Sequence, residues 1–275
     1  MRLSSLAVAA ALFIAPNLAA QGVLVAPHAV IIAPPSRGSS LTLYNPGAEP
    51  AEVSISLFFG YPVTDSTGEF ELTMPEGSHP HSAAGWIEAY PRRLVLGPLE
   101  RQTVRLLVRP PGDLPEGEYW ARIMISAKGG NAPVALPDSA AAGIEVGLNL
   151  EVRTILPVQY RRGAVRTGAR LEAPRVTRNG DSLIVRAKLD REGNAAYLGT
   201  IRGTLVNQSG ATVSSFATPI ALYQSLDPRF ALSVGTTPPG TYRLTISVSS
   251  DRADLAPDQL LKAPAVSSTV DVTIP

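Results

Sequence analysis

An all-β chain built as two tandem β-sandwiches is what this sequence predicts, on three observations. Twenty-five Pro and 23 Gly punctuate short runs rich in Val, Ile, Leu and Thr, the pattern of strands divided by turns and not of amphipathic helices. Within those runs apolar and polar residues alternate, so each run buries one face and wets the other. A Pro-x-Gly-x-Tyr signature followed by an apolar strand occurs twice, at residues 115–119 and 238–242. In immunoglobulin-like sandwiches a Tyr placed just before a late strand returns its hydroxyl to nearby backbone, and the preceding Gly permits the turn. Two such corners predict two immunoglobulin-like sandwiches.

The chain opens with Met1-Arg2, an apolar stretch from Leu6 to Ala15, and the small-residue site Leu18-Ala19-Ala20 before Gln21. Residues 1–20 therefore read as a cleaved signal peptide, because the apolar run of about ten residues is well short of the roughly 20 needed to span a bilayer. No later segment comes closer, which predicts an exported protein without membrane insertion after cleavage. The remainder is too long for one typical sandwich of about 100 residues and comfortable for two. The chain has no cysteine, so each core must hold without a disulfide, and thiol catalysis and Cys-type zinc sites are excluded. With a formal charge of +1 and Arg scattered among acidic residues, nucleic acid is not an expected partner.

Alternation is clear at residues 39–45, at 53–57, and at 104–108 with one break. Its longest run places Ile144, Val146, Leu148, Leu150 and Val152 between Glu145, Gly147, Asn149, Glu151 and Arg153. All five apolar side chains then share one side of a strand, a face about 30 Å long at about 3.3 Å per residue. Residues 128–143, rich in Gly, Ala and Pro, read as a long loop into that strand and leave it at a sheet edge. A second set of strands follows at 182–189, 204–206 and 269–274. The boundary falls at residues 159–164, with the hinge near Arg162, so the domains are 21–162 and 163–275.

Catalytic chemistry has no foothold. The three His, at 28, 79 and 81, lack metal-ligand spacing, and His79-Pro80-His81, the nearest to a pair, reads as a polar loop tip. No nucleophile elbow, phosphate-binding loop or dinucleotide fingerprint is present. The chain is therefore read as a non-enzyme that requires neither cofactor nor metal.

Several segments in order resemble the N-terminal domain of periplasmic pilus-assembly chaperones, especially the archaic chaperone–usher branch. They are Val25-Ala26-Pro27-His28-Ala29-Val30-Ile31-Ile32, Leu41-Thr42-Leu43-Tyr44-Asn45-Pro46, the strand through 94–106, Leu114-Pro115-Glu116-Gly117-Glu118-Tyr119, and Ile155-Leu156-Pro157-Val158-Gln159-Tyr160-Arg161. Residues 164–275 resemble the shorter second domain, best at Arg191-Glu192-Gly193-Asn194 and 199–205. The resemblance implies two sandwiches set at an angle, with a cleft that holds the end of a secreted pilin subunit. It also implies donor-strand complementation: the subunit lacks one strand, and the chaperone lends one, which prevents aggregation. By position Val146, Leu148, Leu150 and Val152 are the donated side chains, with Ile144 extending the row. Burying four such residues contributes on the order of 6–12 kcal/mol before ordering costs. Alternation alone fits equally a strand whose apolar side faces its own core.

Classical members of the resembled family anchor the subunit's terminal carboxylate with an Arg in the first strand and a Lys in the last. Here His28 and Pro157 occupy those places. His28, Arg161 and Arg162 are accordingly the candidate cleft anchors. The expected partners are pilin-like subunits, and an outer-membrane usher is a further partner that the resemblance allows. The alternative is an exported adhesion or envelope scaffold, which predicts a buried 144–152 face and an exposed aromatic patch around Phe58, Phe59, Tyr61 and Trp86.

Overall fold

The computed structural model describes residues 22–129, 132–133, 147–148 and 150–274. Residues 1–20 and most of 128–143 lie outside the described residues, as do Ile144 and Val146. Among the described residues there is no helix.

The first half comprises β1 (Leu24–Ala26), β2 (Val30–Ile32), β3 (Gly38–Tyr44), β4 (Ala51–Phe58), β5 (Tyr61–Thr64), β6 (Phe70–Thr73), β7 (Ile87–Tyr90), β8 (Arg93–Leu96), β9 (Arg101–Val108), β10 (Gly117–Lys128), the two-residue β11 (Ala132–Pro133) and β12 (Gly147–Leu148), and β13 (Glu151–Arg162). One sheet runs β1-β3-β9-β7, the other β2-β13-β10-β4-β8, and β5 and β6 form a separate hairpin. The alternating runs supply the core between the sheets: Leu41 and Leu43, Val53 and Ile55, Val104 and Leu106 are all buried. The break in the third run is Leu107, which faces outward.

Two segments that read as single strands are each divided between the sheets. Residues 25–32 split into β1, paired with β3, and β2, paired in parallel with β13. Residues 94–106 split into β8 and β9 around a turn in which the Glu100 N–H donates to Gly97 O. In both cases a Pro stands between the two pieces, at Pro27 and Pro98, and Pro cannot donate to a ladder.

The second half comprises β14 (Thr167–Leu171), β15 (Arg175–Asn179), β16 (Ser182–Arg186), β17 (Leu189–Gly193), β18 (Tyr197–Val206), β19 (Thr212–Leu222), β20 (Ser225–Leu226), β21 (Arg229–Ser233), β22 (Gly240–Ser249) and β23 (Val266–Ile274). The sheet β19-β18-β22-β23 shares a separate core with β14-β17-β20 and β15-β16-β21. The run at 182–189 is thus two strands, β16 and β17, which pair with different neighbours. The two apolar cores share no residue: one ends at Tyr160 and the other begins at Ala169.

Both Pro-x-Gly-x-Tyr segments form the predicted corner. The Tyr119 hydroxyl donates to Pro115 O at 2.8 Å, and the Tyr242 hydroxyl to Pro238 O at 2.7 Å. Gly117 and Gly240, at φ 151° and 156°, occupy a region that residues with a Cβ rarely adopt. The chain is two immunoglobulin-like sandwiches, with one corner in each.

Between them lies a third apolar cluster, of Phe59, Tyr61, Trp120, Ala196 and Tyr223. This explains why β10 is buried along nearly its whole length. Its odd-numbered residues fill the first core, whereas Glu118, Trp120 and Arg122 point the other way and are covered at the junction of the domains.

Candidate functional site: a free strand edge and the cleft beside it

Strand β13 pairs with β10 along its entire length, from Glu151 opposite Lys128 to Arg162 opposite Gly117. On its other side β2 covers only three positions, Val158 to Tyr160. Among the described residues nothing pairs with the outer side of residues 151–157. In an antiparallel strand alternate N–H and C=O groups point to that side, so this stretch is a template for a further strand. The row facing the core is Leu156, Val158 and Tyr160. The same row continues upstream through half-buried Thr154 and Val152, which lies beside Gly22, to Leu150, which is 42% exposed. The row outruns the core that it starts from. Leu148 belongs to β12, paired with β11, so the stretch 144–152 is not one continuous strand within the described residues.

The unpaired stretch leads into a cleft between the domains, a cavity of about 310 Å³ whose walls include His28, Pro157, Gln159, Arg122, Tyr223 and Arg252. Exposed His28 and half-buried Pro157 both line this cavity. The cationic groups there are Arg122 and Arg252. Arg122 is buried, donates from Nε to Gly60 O at 3.0 Å, and lies over the Tyr223 ring at 5.1 Å. Among the described residues no carboxylate lies within ion-pair range of it. Arg252 donates to Asp254 and, from Nη1, to Ile220 O at 3.1 Å. The hydrogen bonds from Arg252 to Asp254 hold its carboxyl below the usual range. Burial pushes the Tyr223 phenol up, so it stays neutral and accepts from Gln159 Nε2 at 3.1 Å. A buried guanidinium without a carboxylate partner favours an anion in the adjoining space.

Arg161 and Arg162 are engaged elsewhere, and their candidacy as cleft anchors is corrected. Arg161 Nε donates to Glu118 at 2.9 Å, with both side chains almost fully buried. The same carboxylate accepts from Trp120 Nε1 and from the Ala196 N–H of the second domain, both at 3.0 Å. Arg162 donates to the Pro111 and Gly112 carbonyls. Adjacent residues on a strand point to opposite faces, and neither side chain lines the cleft cavity.

His79 and His81 do not form a solvated loop tip. The His79 ring stacks on Phe59 at 4.5 Å, and the His81 ring on Trp120 at 4.5 Å. The aromatic patch of the alternative reading is likewise not exposed: Phe59 and Tyr61 belong to the junction cluster, and Trp86 packs against the first core. Glu118, Arg122 and Arg252 escaped the sequence reading. For the first two a signal existed, since β10 reads Glu118, Trp120, Arg122 on one side and Tyr119, Ala121, Ile123 on the other. Arg252 sits in a loop with no periodicity to place it.

No family model matches the sequence, and no curated protein matches it. Solved structures resemble the fold. The Escherichia coli chaperone DraB aligns over 82% of this chain and 88% of its own at 15% identity and TM-score 0.41. The Salmonella enterica SafA pilin–SafB chaperone complex aligns over 90% and 96% at 16% and 0.43. The CsuC–CsuE chaperone–tip subunit complex of Acinetobacter baumannii aligns over 90% and 98% at 12% and 0.45. At such identities and TM-scores these likenesses decide neither family nor function.

Proposed function

We propose that this chain is an exported chaperone that captures a secreted pilin-like subunit by lending it a strand from the upstream end of β13. The observation that carries this reading is the unpaired side of residues 151–157, on a strand fixed at its other end by β2, β10 and the Arg161–Glu118 pair. Main-chain hydrogen bonds extend the subunit's sheet, and the row Ile144, Val146, Leu148, Leu150, Val152 fills the groove left by its missing strand. The row of β13 that faces its own core outruns that core at Leu150, which supports donation over self-burial. Arg122, with Arg252 and His28 in the same cleft, holds the subunit's terminal carboxylate in place of the Arg and Lys of the resembled family. None of these steps needs a cofactor, a metal or bond chemistry, so the chain acts as a binding protein and not an enzyme.

A native pull-down of the mature protein from its own host's periplasm tests the reading, run beside a Leu148→Asp, Leu150→Asp double variant of matched thermal stability. A small β-rich secreted subunit recovered with the unmodified chain and lost with the variant is the expected result. Equal recovery from both would sink it.

A further inference from the structure

The β5–β6 hairpin leaves the first sandwich and reaches the second. At its base Tyr61 belongs to the junction cluster, with its ring 6.2 Å from that of Trp120 and 6.3 Å from that of Tyr223. At its tip three hydrogen bonds cross between the domains. The Asp227 N–H donates to Thr64 Oγ1 at 2.8 Å, the Arg229 N–H to Gly68 O at 3.0 Å, and Arg186 Nη1 to Ser66 O at 3.2 Å. Arg186 also donates to Asp227 at 2.8 Å, so one guanidinium ties the hairpin tip to the loop it rests on.

The tip is stiff. The Asp65 carboxylate accepts from the Thr67 and Glu69 N–H groups, each at 2.9 Å, and from the Thr67 hydroxyl at 2.7 Å. Gly68, at φ 90°, approaches so closely that a Cβ there would stand 2.7 Å from Arg229 Cβ and 2.9 Å from its N. The hairpin is therefore fixed to the second domain at its tip and to the junction at its base. A single contact region between two bodies leaves them free to pivot about it, and a second one displaced from the first removes that freedom.

We infer that the β5–β6 hairpin is a brace that holds the two sandwiches at one angle and so sets the width of the cleft, of whose walls its own Pro62 and Leu72 form part. The brace acts in the free chain and does not depend on what occupies the cleft.

The test uses the absence of cysteine. Spin labels at Thr103→Cys on β9 and Thr273→Cys on β23, both exposed, report the interdomain distance by pulsed EPR. The braced chain should give one narrow distribution. Gly68→Ala, which drives a methyl group into Arg229, and Thr64→Val, which removes the acceptor of the Asp227 N–H, should each broaden or shift it. Gly77→Ala is the control, since Gly77 has a similar φ of 82° with nothing within 4 Å of an added Cβ, and it should leave the distribution unchanged. Distributions for Gly68→Ala and Thr64→Val that match the control in centre and width, in folded protein, would overturn the brace.

Discussion

The two ends of β13 are one strand with two fates. From Leu156 to Arg162 its side chains are mostly buried, three of its positions are paired on both sides, and Arg161 is locked to Glu118. From Glu151 to Ile155 it is paired on one side only among the described residues, and Glu151, Arg153 and Ile155 are exposed. The contrast teaches that a strand can be held rigidly by one half so that the other is presented without being consumed. Cutting the held half should therefore cost stability, and altering the presented half should cost binding.

The largest effect is expected at the hub of the held half. Glu118→Ala leaves Arg161 buried without a partner and strips acceptors from Trp120 and Ala196, so urea unfolding should report a loss of about 3–5 kcal/mol. A change near zero would mean that Arg161 finds water at the junction. Next comes a matched pair along the strand: Val158→Ala, at a fully buried site, should lose about 1–3 kcal/mol. Ile155→Ala, at a site 42% exposed, should stay within about 0.5 kcal/mol. Equal losses at the two positions would erase the division drawn here.

The corners extend the comparison to the two sandwiches. Tyr119→Phe and Tyr242→Phe each remove one hydrogen bond to a carbonyl four residues back, and each should cost about 1 kcal/mol. Because Tyr119 adjoins the held half of β13 through Tyr160, its loss should also loosen that strand in amide exchange, which Tyr242 cannot do.

The smallest effect is one of pH. Burial holds His79 below its ordinary imidazole value, and the neighbouring His81 adds a smaller push the same way. A depressed folded-state value means that folding favours the neutral ring. Its contribution is complete above the unfolded value of about 6.5 and is lost as pH falls through the lower folded value. The melting temperature should fall more steeply below about pH 6.5 in the native chain than in His79→Phe, which keeps the stack on Phe59 and cannot titrate.

Much of the fold was legible because its signals are local. Leu41, Leu43, Val53, Ile55, Val104 and Leu106 alternate in the sequence and fill the core, and both corners follow from a five-residue signature. What was missed lies where two domains meet. Arg161 looks like any paired Arg at a strand end, and only the fold brings Glu118, 43 residues earlier, within 2.9 Å of it. The histidines at 79 and 81 looked solvated because the rings that receive them, Phe59 and Trp120, are distant in sequence. The division of 182–189 into β16 and β17 was hard to see because the alternation runs through it unbroken, whereas Pro27 and Pro98 mark the other two divisions.

Amide hydrogen exchange along β13 tests the central claim most directly. In the free chain, alternate amides of residues 151–155 should exchange quickly while those of 158–160 stay protected, and a captured subunit should slow only the first set. Uniform protection from 151 to 162 in the free chain, unaltered by any partner, would contradict the account.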